Sequence, residues 1–193
     1  FKYYFYSTAG DKQTVEFMTD CFYSFYCKND NFEIAGRDYG KTHQYSFYVV
    51  LPSEGVAPED CFADLNTDMW GNLRFETAMV NFYIPKFKVE NRTSIIPTLI
   101  SMGMTEPFDV KADFSNLADA DSIHITDATQ SNVFMINEKG TESASATKVD
   151  IGYEGSPTFK TVEFLVNRPF LFFVMENSTK TVLFAGKVSN IEQ

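Results

Sequence analysis

Residue types that could support hydrolysis are sparse in this chain of 193 residues. A hydrolase needs a nucleophile that is activated by a neighbouring base, most often a histidine. The sequence contains two histidines, His43 and His124, and no G-x-S-x-G segment. His43 falls in a predicted turn, and a lone histidine in a strand-rich aromatic chain is usually structural. We therefore predict no catalytic residue and no enzyme activity.

A second pattern, Ala35–Thr42, fits a relaxed phosphate-binding loop. Such a loop needs a buried strand before it and a helix after it, because the helix N-terminus holds the phosphate. Here the following segment, Gln44–Leu51, has the composition of a strand, and the preceding segment is polar. We predict a hairpin connection at this place rather than a nucleotide site.

The three cysteines, Cys21, Cys27 and Cys61, are too few and too irregularly spaced for a disulfide framework or a C-x-x-C metal site. Cys21 and Cys27 would share one face of a straight strand, but six residues of strand separate them too far for a bond. The sequence therefore predicts free thiols, and it predicts neither a metal nor a cofactor.

The charge and hydropathy of the chain exclude two classes of partner. A net charge of -10 argues against nucleic acid, whose phosphates demand a basic surface. No apolar stretch approaches the roughly 20 residues of a membrane-spanning helix. We therefore expect no nucleic acid and no membrane among the partners of this chain.

Short runs of aromatic and β-branched residues between turn residues predict most of the secondary structure. Strands are predicted at about 2–7, 13–19, 22–27, 45–51, 79–89, 132–138, 161–166, 170–176 and 181–188. Helices are predicted near 58–65, 67–74 and 94–102. Because strands outnumber helices and the helices group in the middle of the chain, the pattern indicates an α+β fold with mostly antiparallel sheets.

One segment stands out because it holds small residues and a single charge. It consists of Gly140, Thr141, Glu142, Ser143, Ala144, Ser145, Ala146 and Thr147. A flexible loop is the simplest interpretation. If the segment and its continuation form a strand, however, alternate side chains separate by charge. One face holds Thr141, Ser143, Ser145, Thr147, Val149 and Ile151, and the other holds Glu142, Ala144, Ala146, Lys148 and Asp150. This separation favours a loop that becomes a strand over a core.

Five segments resemble the serpin family. Glu138–Ala144 is similar to the hinge of the serpin reactive loop, and Phe164–Val174 is similar to the serpin signature. Thr181–Val188 resembles the C-terminal strand of the family, while Asn81–Lys88 and Ala112–Ser115 match segments upstream. The segments follow the family's order, so the resemblance covers essentially the whole chain and is specific.

The resemblance implies a serpin-like α+β fold with an exposed reactive loop. It places residues 1–193 in the C-terminal portion of one serpin domain, whose N-terminal half is absent from this chain. It also implies a protease inhibitor that acts by suicide trapping, in which the cleaved loop inserts into the central sheet. The expected partner is a serine protease, with cysteine proteases left open, and action is expected to need the N-terminal half. The alternatives are a binding or storage protein on the same fold and an inactive fragment.

The resemblance also assigns individual residues. Gly140–Thr147 becomes the reactive-loop hinge, and counting from it puts the scissile bond between Glu154 and Gly155. Cleavage after Tyr153 or after Lys160 is the alternative if the count differs in a long loop. The family pattern further predicts an ion pair between Lys86 and Glu138.

Overall fold

The computed structural model describes residues 1–63, 65, 73–117, 122–137 and 159–191. The strands are β1 (Lys2–Tyr6), β2 (Lys12–Lys28), β3 (Phe32–Tyr39), β4 (Tyr45–Pro52), β5 (Glu76–Pro85), β6 (Phe87–Ser94), β7 (Thr129–Ile136), β8 (Lys160–Leu165), β9 (Phe170–Glu176) and β10 (Thr181–Val188). The helices are α1 (Ile96–Ser101) and two 3₁₀ helices, Pro58–Ala63 and Glu106–Phe108. No helix in this part of the chain is long and apolar enough to cross a membrane.

The chain divides into two compact units. Unit 1 comprises Phe1–Phe87 and Ile136–Gln193, and unit 2 comprises Lys88–Met135. Among the described residues, unit 1 is built on an eight-stranded sheet with the order β10-β9-β4-β3-β2-β5-β8, and β1 pairs with β2. The pairings in this sheet are antiparallel except for β5 with β8, which is parallel. The predicted fold class, α+β with mostly antiparallel sheets and few helices, is confirmed.

Strand β2 is longer than the sequence predicted. Two strands, 13–19 and 22–27, were expected, whereas the structure has one strand of 17 residues. Val15 and Phe17 are buried on one face, but Ser24 and Tyr26 are buried on the other. The alternation of apolar residues therefore changes phase within a continuous strand. This change of face produced the apparent break in the pattern.

Strand β3 was missed by the sequence prediction, because Glu33, Arg37 and Asp38 interrupt its apolar pattern. Each of these side chains has a partner on another strand or in a turn. The Tyr26 hydroxyl donates to Glu33 at 2.8 Å, Arg37 pairs with Asp20 at 3.0 Å, and the Ser46 hydroxyl donates to Asp38. Pairing with β2 and β4 on its two edges then holds the strand within the sheet.

The segment that resembled a phosphate-binding loop covers the end of β3 and the turn to β4. The next element is strand β4, so no helix N-terminus is available for a phosphate at this place. The predicted hairpin connection is therefore confirmed. Its antiparallel pairing runs from Phe32 opposite Pro52 to Tyr39 opposite Tyr45.

The remaining differences concern element boundaries. The strand predicted at 79–89 is two strands, β5 and β6, which meet at Lys86 after Pro85. The helix predicted at 58–65 is a 3₁₀ helix, and that at 94–102 is the short helix α1, with Pro97 in its first turn. A proline is tolerated in a first turn because its missing N–H has no helical partner there. The helix predicted at 67–74 lies outside the described residues except for 73 and 74.

The core of unit 1 is aromatic. The rings of Phe82 and Phe164 stack with centroids 5.3 Å apart, and those of Tyr48 and Phe173 stack at 5.1 Å. Burying one such side chain stabilises a fold by roughly 1.5–3 kcal/mol. Gly36 lies directly against Tyr48, where an added Cβ would overlap the ring. The packing of β3 on β4 therefore depends on a missing side chain at this position.

Unit 2 contains most of the two-stranded sheet of β6 and β7, together with α1. Its strands carry apolar side chains that stay in contact with solvent. Val133 and Met135 of β7 are each 61% exposed. No residue of α1 is buried. In the described part of the chain, unit 2 therefore leaves these apolar side chains uncovered.

Candidate functional site

Most of the predicted reactive loop lies outside the described residues. This applies to Glu138, to the hinge Gly140–Thr147, and to Tyr153, Glu154 and Gly155. The structure does describe the strand that leads into this segment, β7, and the strand that follows it, β8. It also describes two predicted site residues, Lys86 and Lys160.

Strand β7 leads into the predicted hinge through Ile136, whose side chain is buried. Within the described residues β7 pairs with β6 in a two-stranded sheet, so its other edge is open there. The free N–H and C=O groups of an edge strand can pair with a further strand. The strand that precedes the hinge can therefore accept a neighbour.

Strand β8 follows the predicted loop and begins at Lys160, beside Ala78 of β5 in the parallel register. The Lys160 Nζ lies 3.0 Å from Glu76 Oε1. The ring of Phe159, one residue earlier, lies 5.1 Å from the ring of Tyr23 on β2. The chain is thus tied to the sheet from Phe159 onward by backbone pairing, an ion pair and an aromatic contact.

Lys86 lies between β5 and β6 and is held by β2. Its Nζ is 2.8 Å from Glu16 Oε2, and its backbone N–H donates to the Glu16 carbonyl at 2.8 Å. The predicted partner, Glu138, lies outside the described residues, so that pair stays a prediction. The pairing of Lys86 with Glu16 had no signal in the sequence, because 70 residues separate the two.

The segment Phe164–Val174, which resembles the serpin signature, includes the turn between β8 and β9. Hydrogen bonds connect this turn to the ends of two other strands. Arg168 Nε donates to the carbonyl of Pro52 at 2.8 Å, at the end of β4. The carbonyl of Asn167 accepts the backbone N–H of Tyr6 at 2.9 Å, at the end of β1. Burial lowers the pKa of Arg168 from its ordinary value. The signature therefore has a structural role in holding the sheet together.

A polar cluster at the turn between β3 and β4 joins His43, Asp38, Ser46 and Asn177. His43 Nδ1 lies 2.7 Å from Asp38 Oδ2, and the Ser46 hydroxyl donates to the same carboxylate. Asn177 Nδ2 donates to the His43 carbonyl and to Ser46 Oγ, each at 2.7 Å. In a catalytic triad the serine hydroxyl bonds to the histidine, and the histidine bonds to the acid. Here the buried Ser46 hydroxyl bonds to the acid instead, so the cluster is not a catalytic triad.

The remaining residues with reactive side chains that the sequence singled out are His124 and the three cysteines. His124 is half-buried, with Nδ1 3.0 Å from the Ser122 carbonyl oxygen. Cys21 is exposed, and Cys27 and Cys61 are buried, all as free thiols, which confirms the prediction. Within the described ranges no group of three or more His, Cys, Asp or Glu side chains could hold a metal ion.

The similarities of the chain to known proteins agree with its fold. A family model described as "Serpin (serine protease inhibitor)" matches residues 1–191. Iripin-3 of Ixodes ricinus is 34% identical over 149 residues, which is 76% of this chain and 38% of that protein. Thyroxine-binding globulin of Homo sapiens is 30% identical over 162 residues, 83% of this chain and 38% of that protein.

Solved structures show the same likeness. The thermophilic serpin tengpin in its native state superposes with a TM-score of 0.77 at 32% identity, covering 99% of this chain and 50% of that one. A thyroxine-binding globulin complex with thyroxine gives a TM-score of 0.79 at 25% identity, covering 100% of this chain and 50% of that one. The chain thus spans about half the length of these solved relatives.

The family model extends over nearly the whole chain, the relatives match it in sequence, and the solved structures share its fold. The predicted family resemblance is therefore confirmed. This chain belongs to the serpin family of serine protease inhibitors.

Proposed function

We propose that this chain supplies the reactive loop and its two flanking strands to a protease inhibitor that acts by suicide trapping. A protease attacks the loop as a substrate and forms an acyl-enzyme. The hinge Gly140–Thr147 then inserts beside β7 as a new strand, and the tethered protease is carried with it and distorted. Together with the N-terminal half of its domain, the chain would act as an inhibitor and not as an enzyme.

The observation that carries this proposal is the open edge of β7. In the described residues β7 pairs with β6 alone, and the chain continues from β7 directly into the hinge. New main-chain hydrogen bonds along that edge would stabilise the inserted state. Insertion of a loop into a sheet is an established way in which proteins release stored strain.

The composition of the hinge supports insertion. On its first face, the alternate side chains from Thr141 to Thr147 are small and uncharged, and those that follow, up to Ile151, are apolar. Small side chains can enter a closely packed site without overpacking it. The opposite face holds Glu142, Lys148 and Asp150, which would remain in water. A charge on the first face would be buried without a partner, at a cost of several kcal/mol.

The proposed scissile bond joins Glu154 and Gly155. Tyr153 is the alternative for a protease with an apolar primary pocket, and Lys160 for one with an acidic pocket. Lys160 is already paired in β8 beside Ala78 and bound to Glu76. A bond held in a sheet is poorly accessible to a protease, so this arrangement supports a bond earlier in the loop. A protease that cleaves after Glu154 needs a cation in its primary pocket.

The proposed partners are a serine protease, with cysteine proteases as a second class, and the N-terminal half of the serpin domain. The solved relatives are about twice as long as this chain, which supports the need for that half. Residues 1–193 would then form the C-terminal portion of a single domain. The intact mass of the native protein tests this part of the proposal. A species of about twice the mass of this chain, or a companion N-terminal peptide, is expected.

A denaturing gel tests the proposed mechanism. The native protein is incubated with chymotrypsin, trypsin and a glutamyl endopeptidase. With at least one of them we expect a covalent complex that survives denaturation and contains the protease. If each protease instead cleaves the loop and leaves no complex, the chain belongs to a substrate or a binding protein.

A second candidate function, the binding of an apolar small molecule, is favoured by a depression on the sheet of unit 1. It has a volume of about 290 Å³ and is lined mainly by Phe62, Leu65, Leu171, Phe173, Val182 and Ala185. Lys187 lies at the same depression and pairs with Glu59. The volume is close to the lower end of the range for ligand pockets, about 300 Å³. The resemblance to thyroxine-binding globulin supports this candidate.

Titration with thyroxine tests the second candidate. Saturable binding that is lost in Ala185→Trp, which fills the depression, would support it. Binding that is equal in the parent and in Ala185→Trp would exclude this depression as the site. Since the inhibitory proposal depends on the loop and not on this depression, the two functions can be tested separately.

A further inference from the structure

The outward face of strands β2, β5 and β8 has an unusual composition. Where a sheet has one face in water, that face normally carries polar and charged side chains. In register, Tyr23 lies opposite Met79, which lies beside Thr161, and Phe25 lies opposite Thr77. None of these side chains is buried, and Phe25 is 61% exposed. We call the surface formed by Tyr23, Phe25, Thr77, Met79, Phe159 and Thr161 the outer aromatic face.

Charge is nearly absent from this side of the three strands. On this side β2 places Thr19, Cys21, Tyr23 and Phe25. Among these and the residues that β5 and β8 pair beside them, the single charged side chain is Glu163. Its Oε1 accepts a hydrogen bond from Asn81 at 2.5 Å, and its charge raises the pKa of Tyr83. Beyond these three strands, Arg37, Asp38 and His43 line the same depression as Tyr23, Phe25 and Thr77, so charged side chains adjoin this aromatic surface.

Aromatic side chains that stay in water at a surface are typical of a contact site for another protein. Tyrosine and phenylalanine are enriched at the centre of protein interfaces, while charged residues are depleted there. On the opposite side of the same strands, Ala78, Val80 and Phe164 are fully buried. The core of the described residues therefore does not depend on Phe25, while Tyr23 packs on Phe159 just before β8.

The position of this surface along the chain identifies its occupant. Phe159, which contacts Tyr23, lies four positions after Gly155. An extended chain of four residues spans at most about 14 Å, and the six residues back to Tyr153 span about 21 Å. A folded protease of roughly 230 residues has a radius of gyration of about 17 Å. A protease bound at either bond would therefore reach the sheet surface around Phe159.

We infer that the outer aromatic face is a contact surface for the protease that engages the reactive loop. The inference rests on the proposed function and deepens it, because it adds a second point of recognition outside the loop. Tyr23 and Phe25 would pack against an apolar patch beside the active-site cleft of the protease. The contact would act mainly on binding, and so would lower KM for the loop without changing the chemical step.

The experiment compares four proteins: the parent chain, Tyr23→Ser, Phe25→Ser and the control Phe184→Ser. Phe184 is 49% exposed on β10, at the opposite edge of the same sheet. Each protein is incubated with chymotrypsin, trypsin and a glutamyl endopeptidase, and mass spectrometry follows cleavage within residues 148–160. A synthetic peptide of residues 148–162, which lacks the sheet, provides the reference rate. Thermal unfolding checks that all four proteins are folded.

For the protease that cleaves the parent loop fastest, we expect the parent to exceed the peptide in kcat/KM. Phe25→Ser should lower kcat/KM about fivefold, mainly through KM, while Phe184→Ser stays within about twofold of the parent. If Phe25→Ser and Tyr23→Ser also stay within twofold, the contact surface is refuted while the proposed function stands. If no protease cleaves the parent within residues 148–160, the proposed function and this inference both fail.

Sedimentation of the same four proteins tests the competing occupant, a second copy of this chain. The inference predicts the same oligomeric state for the parent and for Phe25→Ser. A parent dimer that dissociates in Phe25→Ser would assign the outer aromatic face to self-association and would overturn the inference.

Discussion

Units 1 and 2 are both built on β-strands, yet they bury their apolar side chains to different degrees. In unit 1 the stacked rings of Phe82 and Phe164 are 5% and 0% exposed. In unit 2 Val133 and Met135 are each 61% exposed. The strand after the reactive loop, β8, therefore belongs to a sheet with a buried aromatic core. Within the described residues the strand before the loop, β7, leaves one edge unpaired and carries exposed apolar side chains.

This difference suits the proposed mechanism. A trapping inhibitor needs one end of its loop to stay fixed while the other end gains a strand. The pairing of β8 with β5, reinforced by the ion pair of Lys160 with Glu76, provides the fixed end. The open edge of β7 within the described residues provides the acceptor. The predictions below test this contrast.

The largest expected effect is the loss of a core ring in unit 1. Phe164→Ala should lower the free energy of unfolding by about 3–5 kcal/mol, because it leaves a cavity beside Phe82. The matched change in unit 2, Val133→Ala, should cost less than about 0.5 kcal/mol because the side chain is exposed. Urea denaturation followed by circular dichroism measures both. Similar losses in the two variants would remove the contrast between the units.

A smaller loss is expected at Gly36, where an added methyl group would overlap the ring of Tyr48. Gly36→Ala should destabilise the chain by about 1–3 kcal/mol through overpacking. In a Tyr48→Leu background the same change should cost less, because the ring is gone. An unchanged cost in that background, measured by the same denaturation assay, would mean that the strain has another source.

The strands at the C-terminus were predicted most accurately. The bounds predicted for β9 and β10 are those of the structure. Pro169 marks the start of the first dense apolar run, and the polar turn at Asn177 separates it from the second. Strand β3 was missed for the opposite reason. Its charged residues are satisfied by Asp20, Tyr26 and Ser46, which are contacts across strands and cannot be inferred from local composition.

The sequence predicted the site only in part. The separation of small and charged residues in Gly140–Thr147 indicated a strand that can insert, and that assignment stays a prediction. The pairing of Lys86 with Glu16 and the outer aromatic face were not foreseen. The run Phe22–Tyr26 is aromatic on both faces, so its composition alone cannot show that Tyr23 and Phe25 point outward. Only the register with β5 resolves this.

Lys86 provides a test near the entry to the loop. Lys86→Glu should destabilise the chain by about 1 kcal/mol, because it places a second carboxylate beside Glu16. Adding Glu16→Lys should restore part of the stability, and adding Glu138→Lys should restore the rest. If Glu138→Lys contributes nothing in this background, the predicted pair of Lys86 with Glu138 does not form.

The smallest effect concerns the turn between β9 and β10. Hydrogen bonds from the side chain and backbone of Thr179, with a smaller contribution from Ser178, lower the pKa of Glu176 to about 2. An unfolded glutamate titrates near about 4.3. The pKa of Glu176 is lower in the folded chain than in the unfolded one. The ionised carboxylate therefore contributes its full stabilisation of the fold above the unfolded pKa, and this contribution disappears as the pH falls towards 2.

Glu176→Gln should therefore be less stable than the parent at pH 5, and the difference should shrink at pH 2.5. Urea midpoints of both proteins at the two pH values measure this. A difference that does not change with pH would show that the carboxylate charge has no part in the turn.

The central claim is that the hinge inserts beside β7 with Thr147 facing inward. Three forms of the native protein are incubated with the protease that cleaves its loop: the parent, Thr147→Arg, and the control Ala146→Arg on the opposite face. A denaturing gel then measures the fraction of protease in covalent complex. The account predicts that Thr147→Arg is cleaved without forming a complex, because insertion would bury an unpaired charge, while Ala146→Arg traps the protease like the parent. Equal complex formation by Thr147→Arg and Ala146→Arg would contradict it.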